Sequence, residues 1–162
     1  MSSTSFLNRN DLSAGLRNNN PGNLRPLYND TWAGELLPPD TRLNFSRFKD
    51  VEHGIRAMFI DLLGDIVDDK DNTIRKLTSK YAPPSDHNQT NLYIQNVSRA
   101  VGISPDTVIN PTRSVMFKII RAKVNQELGP QAKLITNDAI NTGIDYALLR
   151  ADIKKKLQQG QQ

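Results

Sequence analysis

Residues Gly15–Arg25, G-L-R-N-N-N-P-G-N-L-R, constrain the fold more than any other stretch of this chain. Three consecutive asparagines, then Pro21-Gly22 and Asn23, exclude a helix interior. Proline lacks an amide donor, asparagine prefers turns and caps, and Gly22 offers positive φ at little cost. Leu24 opens an extended run past Tyr28 to Trp32, with turn signals at Asn29-Asp30 and at Pro38-Pro39-Asp40. Leu43–Phe48 roughly alternates apolar and polar residues, as a half-buried strand does. Residues 18–48 therefore read as an Asn-rich turn followed by a small antiparallel hairpin, with Trp32-Ala33-Gly34-Glu35 closing the turn. This is the one β-rich island in the sequence, and it carries the single Trp.

Such an island suits two uses. Asparagine amides present donors and acceptors to sugar hydroxyls and N-acetyl groups, and an aromatic face covers the apolar face of a sugar. Alternatively the amides brace their own turn, the commoner habit of Asn in turns, and Trp32 fills the core.

Helical spacing dominates the remainder. Asp50 reads as the N-cap of a helix carrying Val51, Ile55, Met58, Phe59, Leu62, Leu63, Ile66 and Val67 on its apolar positions. Gly54 inside it points to close packing, since it costs about 1 kcal/mol against Ala in a helix. The acidic run Asp65–Asp71 reads as a solvated turn. Asn72 caps a short helix over 73–81 that Pro83-Pro84 ends. Thr90 or Asn88 opens the next helix, which stops at Gly102. Ser104-Pro105-Asp106 is a helix-start signal leading a short turn. Thr112 opens a helix ended by Gly129-Pro130, and a last helix is expected from about Asn137 to Leu157. The fold class is α+β, mostly α. One domain over 15–158 is expected, with a flexible segment 1–14 and a disordered tail 159–162.

Composition narrows the chemistry. Cysteine is absent, which removes disulfides, thiolate metal sites and a Cys nucleophile. His53 and His87 form no metal-binding pair, so neither a metal nor a cofactor is expected. The net charge of +4 favours an anionic partner. The run Lys154–Lys156 reads as a solvated helix end, and the scattered basic residues show no pattern for specific nucleic-acid binding. No apolar run suits membrane insertion, and the start M-S-S-T-S-F-L-N-R-N lacks the apolar core of a secretion signal.

The sequence holds three glutamates. Glu52, in the first turn of a helix, complements the helix dipole. Glu35 follows Trp32-Ala33-Gly34, where a surface or a site position would suit it equally. Glu127 stands three, seven and eleven residues after Val124, Ile120 and Met116, which puts it on an apolar stripe in the last turn of its helix. Partial burial and the negative helix end both disfavour a charged carboxylate there. A carboxyl group that keeps its proton is what acid cleavage of a glycosidic bond requires. A rim glutamate reaching water is the plainer alternative.

The strings R-N-N-N-P-G-N-L-R, W-A-G, F-S-R-F-K-D-V-E-H-G-I-R-A, K-Y-A-P-P and Y-I-Q-N-V, spread over residues 15–102, resemble a family of small phage and prophage virion-associated proteins. Their order is similar to the lysozyme-like superfamily, especially bacterial glucosaminidases and lytic transglycosylases. There the catalytic Glu ends a helix just before the Asn-rich block, whereas residues 1–17 here contain no Glu and only Asp11 as an acid. The segment V-N-Q-E-L-G-P-Q-A around Glu127 is similar to the missing one. The resemblance thus implies a circularly permuted lysozyme-like helical domain with one small β-hairpin lobe. It implies Glu127 as general acid, with Asn19, Asn20, Asn23, Trp32 and Tyr93 lining a glycan groove. Glu35 or Asp30 would be a second carboxylate, although lytic transglycosylases need only one. The implied function is phage-associated cleavage of peptidoglycan glycan strands, by a muramidase or lytic transglycosylase. The competing function is a non-catalytic virion protein of lysozyme-like shape that binds glycan or fills a tail or capsid position. Expected partners are glycan strands and other virion proteins. The expected location is the virion, or the host cytoplasm before release.

Overall fold

A computed structural model describes residues 3–81 and 89–161. The Pro83-Pro84 stop, the Asn88 cap and His87 lie outside the described residues. The chain is α+β and mostly helical, with a two-stranded antiparallel sheet. In order come α1 (Ala14–Arg17), β1 (Glu35–Asp40), β2 (Phe45–Phe48), α2 (Val51–Val67), α3 (Ile74–Tyr81), α4 (Thr90–Val101), α5 (Arg113–Leu128), a 3-10 segment Gly129–Leu134, α6 (Asn137–Leu148) and α7 (Ala151–Gly160).

Helix α2 is the hub. It is capped by Asp50, whose side chain accepts from His53 N, and it buries a broad apolar face: Val51, Ile55, Met58, Phe59, Leu62, Leu63 and Ile66. Helices α5, α6 and α7 and strand β2 pack around it. Two glycines set how near its neighbours come. A Cβ on Gly54 would stand 2.0 Å from the carbonyl oxygen of Asn19, and one on Gly143 of α6 would stand 2.5 Å from Ile55. The close packing foreseen at Gly54 is therefore against the backbone of the Asn-rich turn.

That turn forms the outer border of β2. Asn18 O accepts from Phe48 N and Leu24 O from Ser46 N, both at 2.9 Å. Asn19 Nδ2 donates to Phe48 O and Asn20 Nδ2 to Ser46 O, each at 3.0 Å. A two-stranded sheet leaves an open row of backbone groups along each edge. Here side-chain amides and loop carbonyls fill the row on β2. Positive φ falls at Asn19 (52°) and Asn23 (51°), not at Gly22. Asparagine tolerates that region, and Gly22 instead lets Met58 approach to 3.2 Å of where a Cβ would be.

The hairpin differs from expectation in its first strand. Residues 24–32 form no strand; β1 begins at Glu35 and contains Pro38-Pro39, with the turn at 41–44. The prolines sit in a strand paired on one side only, with an irregular register between Leu36 and Asp40, so their missing amides disrupt little. The last helix is also broken, at Leu149-Arg150, into α6 and α7. Ser104-Pro105-Asp106 makes a turn without a helix. Helix α7 continues through Gly160, which abuts Pro111 and Val67. The polar N-terminal stretch is hydrogen-bonded along its described part. Thr4 N donates to Glu52 at 2.6 Å, Phe6 N to Asn19 Oδ1 at 2.8 Å and Ser13 N to Gln131 Oε1 at 3.0 Å. No helix among the described residues is long and apolar enough to cross a membrane.

Candidate active site at the end of α5

Helix α5 runs from its Thr112 cap to Leu128 and delivers its C-terminal turn to the Asn-rich segment. Leu128 packs on α1, 3.0 Å from where a Cβ on Gly15 would stand. One residue earlier, Glu127 Oε2 accepts from Asn23 Nδ2 at 3.4 Å, joining residues 104 apart in sequence. A late helix and an early turn thus meet at a carboxylate.

Glu127 is exposed, however, and the expectation of a partly buried acid is corrected. The inward stripe of α5 passes through Met116, Ile119, Ile120, Lys123, Val124 and Leu128. Leu128 takes the inward place in the last turn, which turns Glu127 to the rim. One helical turn before Glu127, Lys123 is only 5% exposed. Burial pushes its ammonium group down from the usual lysine range, while the carboxylates of Asp61, Glu127 and Asp65 act in the opposite direction. Burial likewise pushes Asp61 upward, against the pull of Lys123 and Lys80. The exposed carboxylate therefore has a buried ammonium behind it, itself backed by acids from α2. Sequence reasoning missed Lys123. Its signal was a lysine between Ala122 and Val124, one turn from Ile119 and Ile120, where a solvated residue does not fit the periodicity.

The other expected groove residues divide. Asn19 and Asn20 are fully buried and do not line a groove. Asn19 also receives Phe6 N on Oδ1 and donates to Ser5 Oγ, and Asn20 holds Leu24 N and O at 2.9 Å each. Their amides are engaged with the backbone, as the bracing alternative foresees. Asn23 is half-buried and retains an Oδ1 that accepts nothing among the described residues. Tyr93 is half-buried on α4, the helix packed against α5, with its ring against the core.

Trp32 and Glu35 make a separate group. Glu35 Oε1 accepts from Trp32 N at 2.9 Å, and Gly34 between them lies against His53 at the start of α2. Glu35 Oε2 and Trp32 Nε1 are both shielded from solvent without a hydrogen-bond partner among the described residues. No hydrogen bond or ion pair among those residues links this group to Glu127. Asp30 is exposed and caps Thr31 N. The acids Asp65, Asp69 and Asp71 converge, but Lys80 Nζ stands among them, bonded to Asp65 and 3.3 Å and 3.9 Å from the other two.

Compared with known proteins, the chain matches no family model and no curated sequence. The arrangement at α5 must be read from its own chemistry: a solvent-facing carboxylate, oriented by an amide and backed by a buried cation. Such a group can accept hydrogen bonds from a hydroxylated ligand or exchange a proton with it.

Proposed function

We propose that this protein cleaves the glycan strand of peptidoglycan, as a phage-associated muramidase or lytic transglycosylase, with Glu127 as the general acid. The observation that carries the reading is the 3.4 Å contact between Asn23 and Glu127. It brings a helix ending Glu-x-Gly to the Asn-rich turn, as a permuted lysozyme-like chain requires. A glycan strand laid over the end of α5 would displace water from the carboxylate. That desolvation favours the protonated form needed for the leaving oxygen against the opposing pull of the Lys123 ammonium. The half-buried Asn23 would orient the acid through its side-chain amide.

Turbidity loss of purified cell walls tests the proposal. Wild-type protein is expected to clear them, and Glu127→Gln to lose about 10²–10⁴-fold in rate, the usual contribution of a general acid. Circular dichroism should be unchanged, because Glu127 is exposed. Equal clearing by both proteins, or by neither, overturns the catalytic reading.

The sealed state of Asn19 and Asn20 favours a second reading, a non-catalytic virion component that keeps the hairpin lobe for shape. Mass spectrometry of purified virions would then find it at fixed stoichiometry, with no wall activity in the wild type.

A further inference from the structure

At the Asn18 end of the Asn-rich turn, a cleft of about 240 Å³ opens between the N-terminal segment, α1 and the turn of the hairpin. Arg17, Arg42 and Arg47 line it, with Asp40 as the sole carboxylate. That carboxylate is already engaged: Oδ2 accepts from Asn18 Nδ2 at 3.1 Å and Oδ1 from Arg42 N at 3.0 Å. The Asn18 bond, foremost, holds Asp40 below the ordinary carboxylate range.

The arginines are far from saturated. Arg17 Nη1 donates to Leu12 O at 3.2 Å, while its Nε–H is shielded from solvent and finds no acceptor among the described residues. Among the described residues, Arg47 Nη1 donates to Pro38 O alone, at 3.3 Å. The Arg42 side chain is 71% exposed, and its Nε makes an ion pair with Asp40 at 3.8 Å, beyond hydrogen-bond reach. A guanidinium carries five N–H donors, so three of them facing one occupied carboxylate leave a large excess of donors. Asn8 and Asn10 add amides to the wall, and Asn8 N donates to Arg17 O at 3.3 Å, fixing that wall to α1.

We propose that this cleft is an oxyanion-binding site for a hydroxylated ligand: a sugar carrying a carboxylate or a phosphate. Forked guanidinium donors match the paired oxygens of both groups, and the neighbouring amides match hydroxyl or acetamido groups. The site needs no cleavage by Glu127. It adds a means of recognising the anionic substituents of a wall polymer if the proposed function holds.

The probes are N-acetylmuramic acid, inorganic phosphate and neutral N-acetylglucosamine, titrated into ¹⁵N-labelled protein at constant ionic strength. Saturable shifts at Asn8, Asn10 and the Arg17 Nε–H are expected with one or both anions and not with N-acetylglucosamine. Response to N-acetylmuramic acid alone identifies a carboxylate source, and response to phosphate alone a phosphate source; either supports the site. Arg42→Gln with Arg47→Gln, both partly exposed side chains, should weaken binding by at least about tenfold with the spectrum otherwise retained. Shifts no larger than chloride produces, an equal response to the neutral sugar, or unchanged affinity in the double variant would overturn the proposal. Glu127→Gln is expected to titrate as wild type, so a failure of wall cleavage and a failure of this site are separately visible.

Discussion

Asn20 makes three hydrogen bonds from a fully buried position, two to Leu24 and one to Ser46. Replacing it with Ala leaves Leu24 N and Ser46 O without that partner, while Leu24 O keeps its bond from Ser46 N. The expected loss is about 2–4 kcal/mol, read as a lowered midpoint in urea unfolding. Asn23→Gly, which keeps the positive φ of 51° at that position without steric cost, removes a single 3.4 Å bond at a half-buried site, and should cost less than about 1 kcal/mol. If the proposed function holds, it should slow wall clearing nonetheless. Similar destabilisation in both variants would count against this division of the asparagines. Glu52 gives a pH signature. Its buried carboxyl is pushed above the ordinary glutamate range chiefly by desolvation, with Asp50 adding to the rise and the Thr4 amide opposing it. A carboxyl raised in the folded state binds its proton there more tightly than in the unfolded chain. Its contribution is then complete below the unfolded value and is lost as pH climbs through the folded one. Glu52→Gln, which keeps an acceptor for Thr4 N, should flatten the decline in thermal stability from pH 4 toward neutrality. An unchanged pH profile would contradict that assignment.

At the scale of elements, α2 is informative because its two internal glycines make opposite predictions. Alanine is the better helix former by about 1 kcal/mol. At Gly64 a Cβ would meet nothing nearer than Asp68 Oδ2 at 3.9 Å, so Gly64→Ala should raise the melting temperature. At Gly54 the same atom would fall 2.0 Å from Asn19 O, a backbone atom held by the β2 border. Overpacking of this kind costs roughly 1–3 kcal/mol or more, and Gly54→Ala should lower the melting temperature despite its propensity gain. Differential scanning calorimetry of the pair checks both signs. The helices themselves were legible in sequence: the Asp50 and Thr112 caps, the Gly102 stop and the apolar spacing of α2 and α5 are local signals. The break at Leu149-Arg150 was not, because neither residue is a helix breaker. The position of β1 was misread because Pro38-Pro39 signals a turn unless the strand has an open edge, and edges are assigned only by pairing.

For the whole molecule, the decisive arrangement is the docking of α5 onto the Asn-rich turn while the Trp32–Glu35 group lies over the start of α2. The hairpin lobe is therefore shared between two neighbourhoods, and the expected groove residues do not form one row. The sequence alone determined the helical class, the boundaries of α2 and α5, and the need for a tight turn at Asn18–Asn23, since each follows from spacing, caps and allowed backbone angles within a few residues. Which asparagines are buried, that Leu128 rather than Glu127 faces inward, and that Lys123 is enclosed among acids were decided only in the tertiary structure. Those outcomes depend on groups distant in the chain that compete for the same space and the same hydrogen bonds, and no local pattern records who wins.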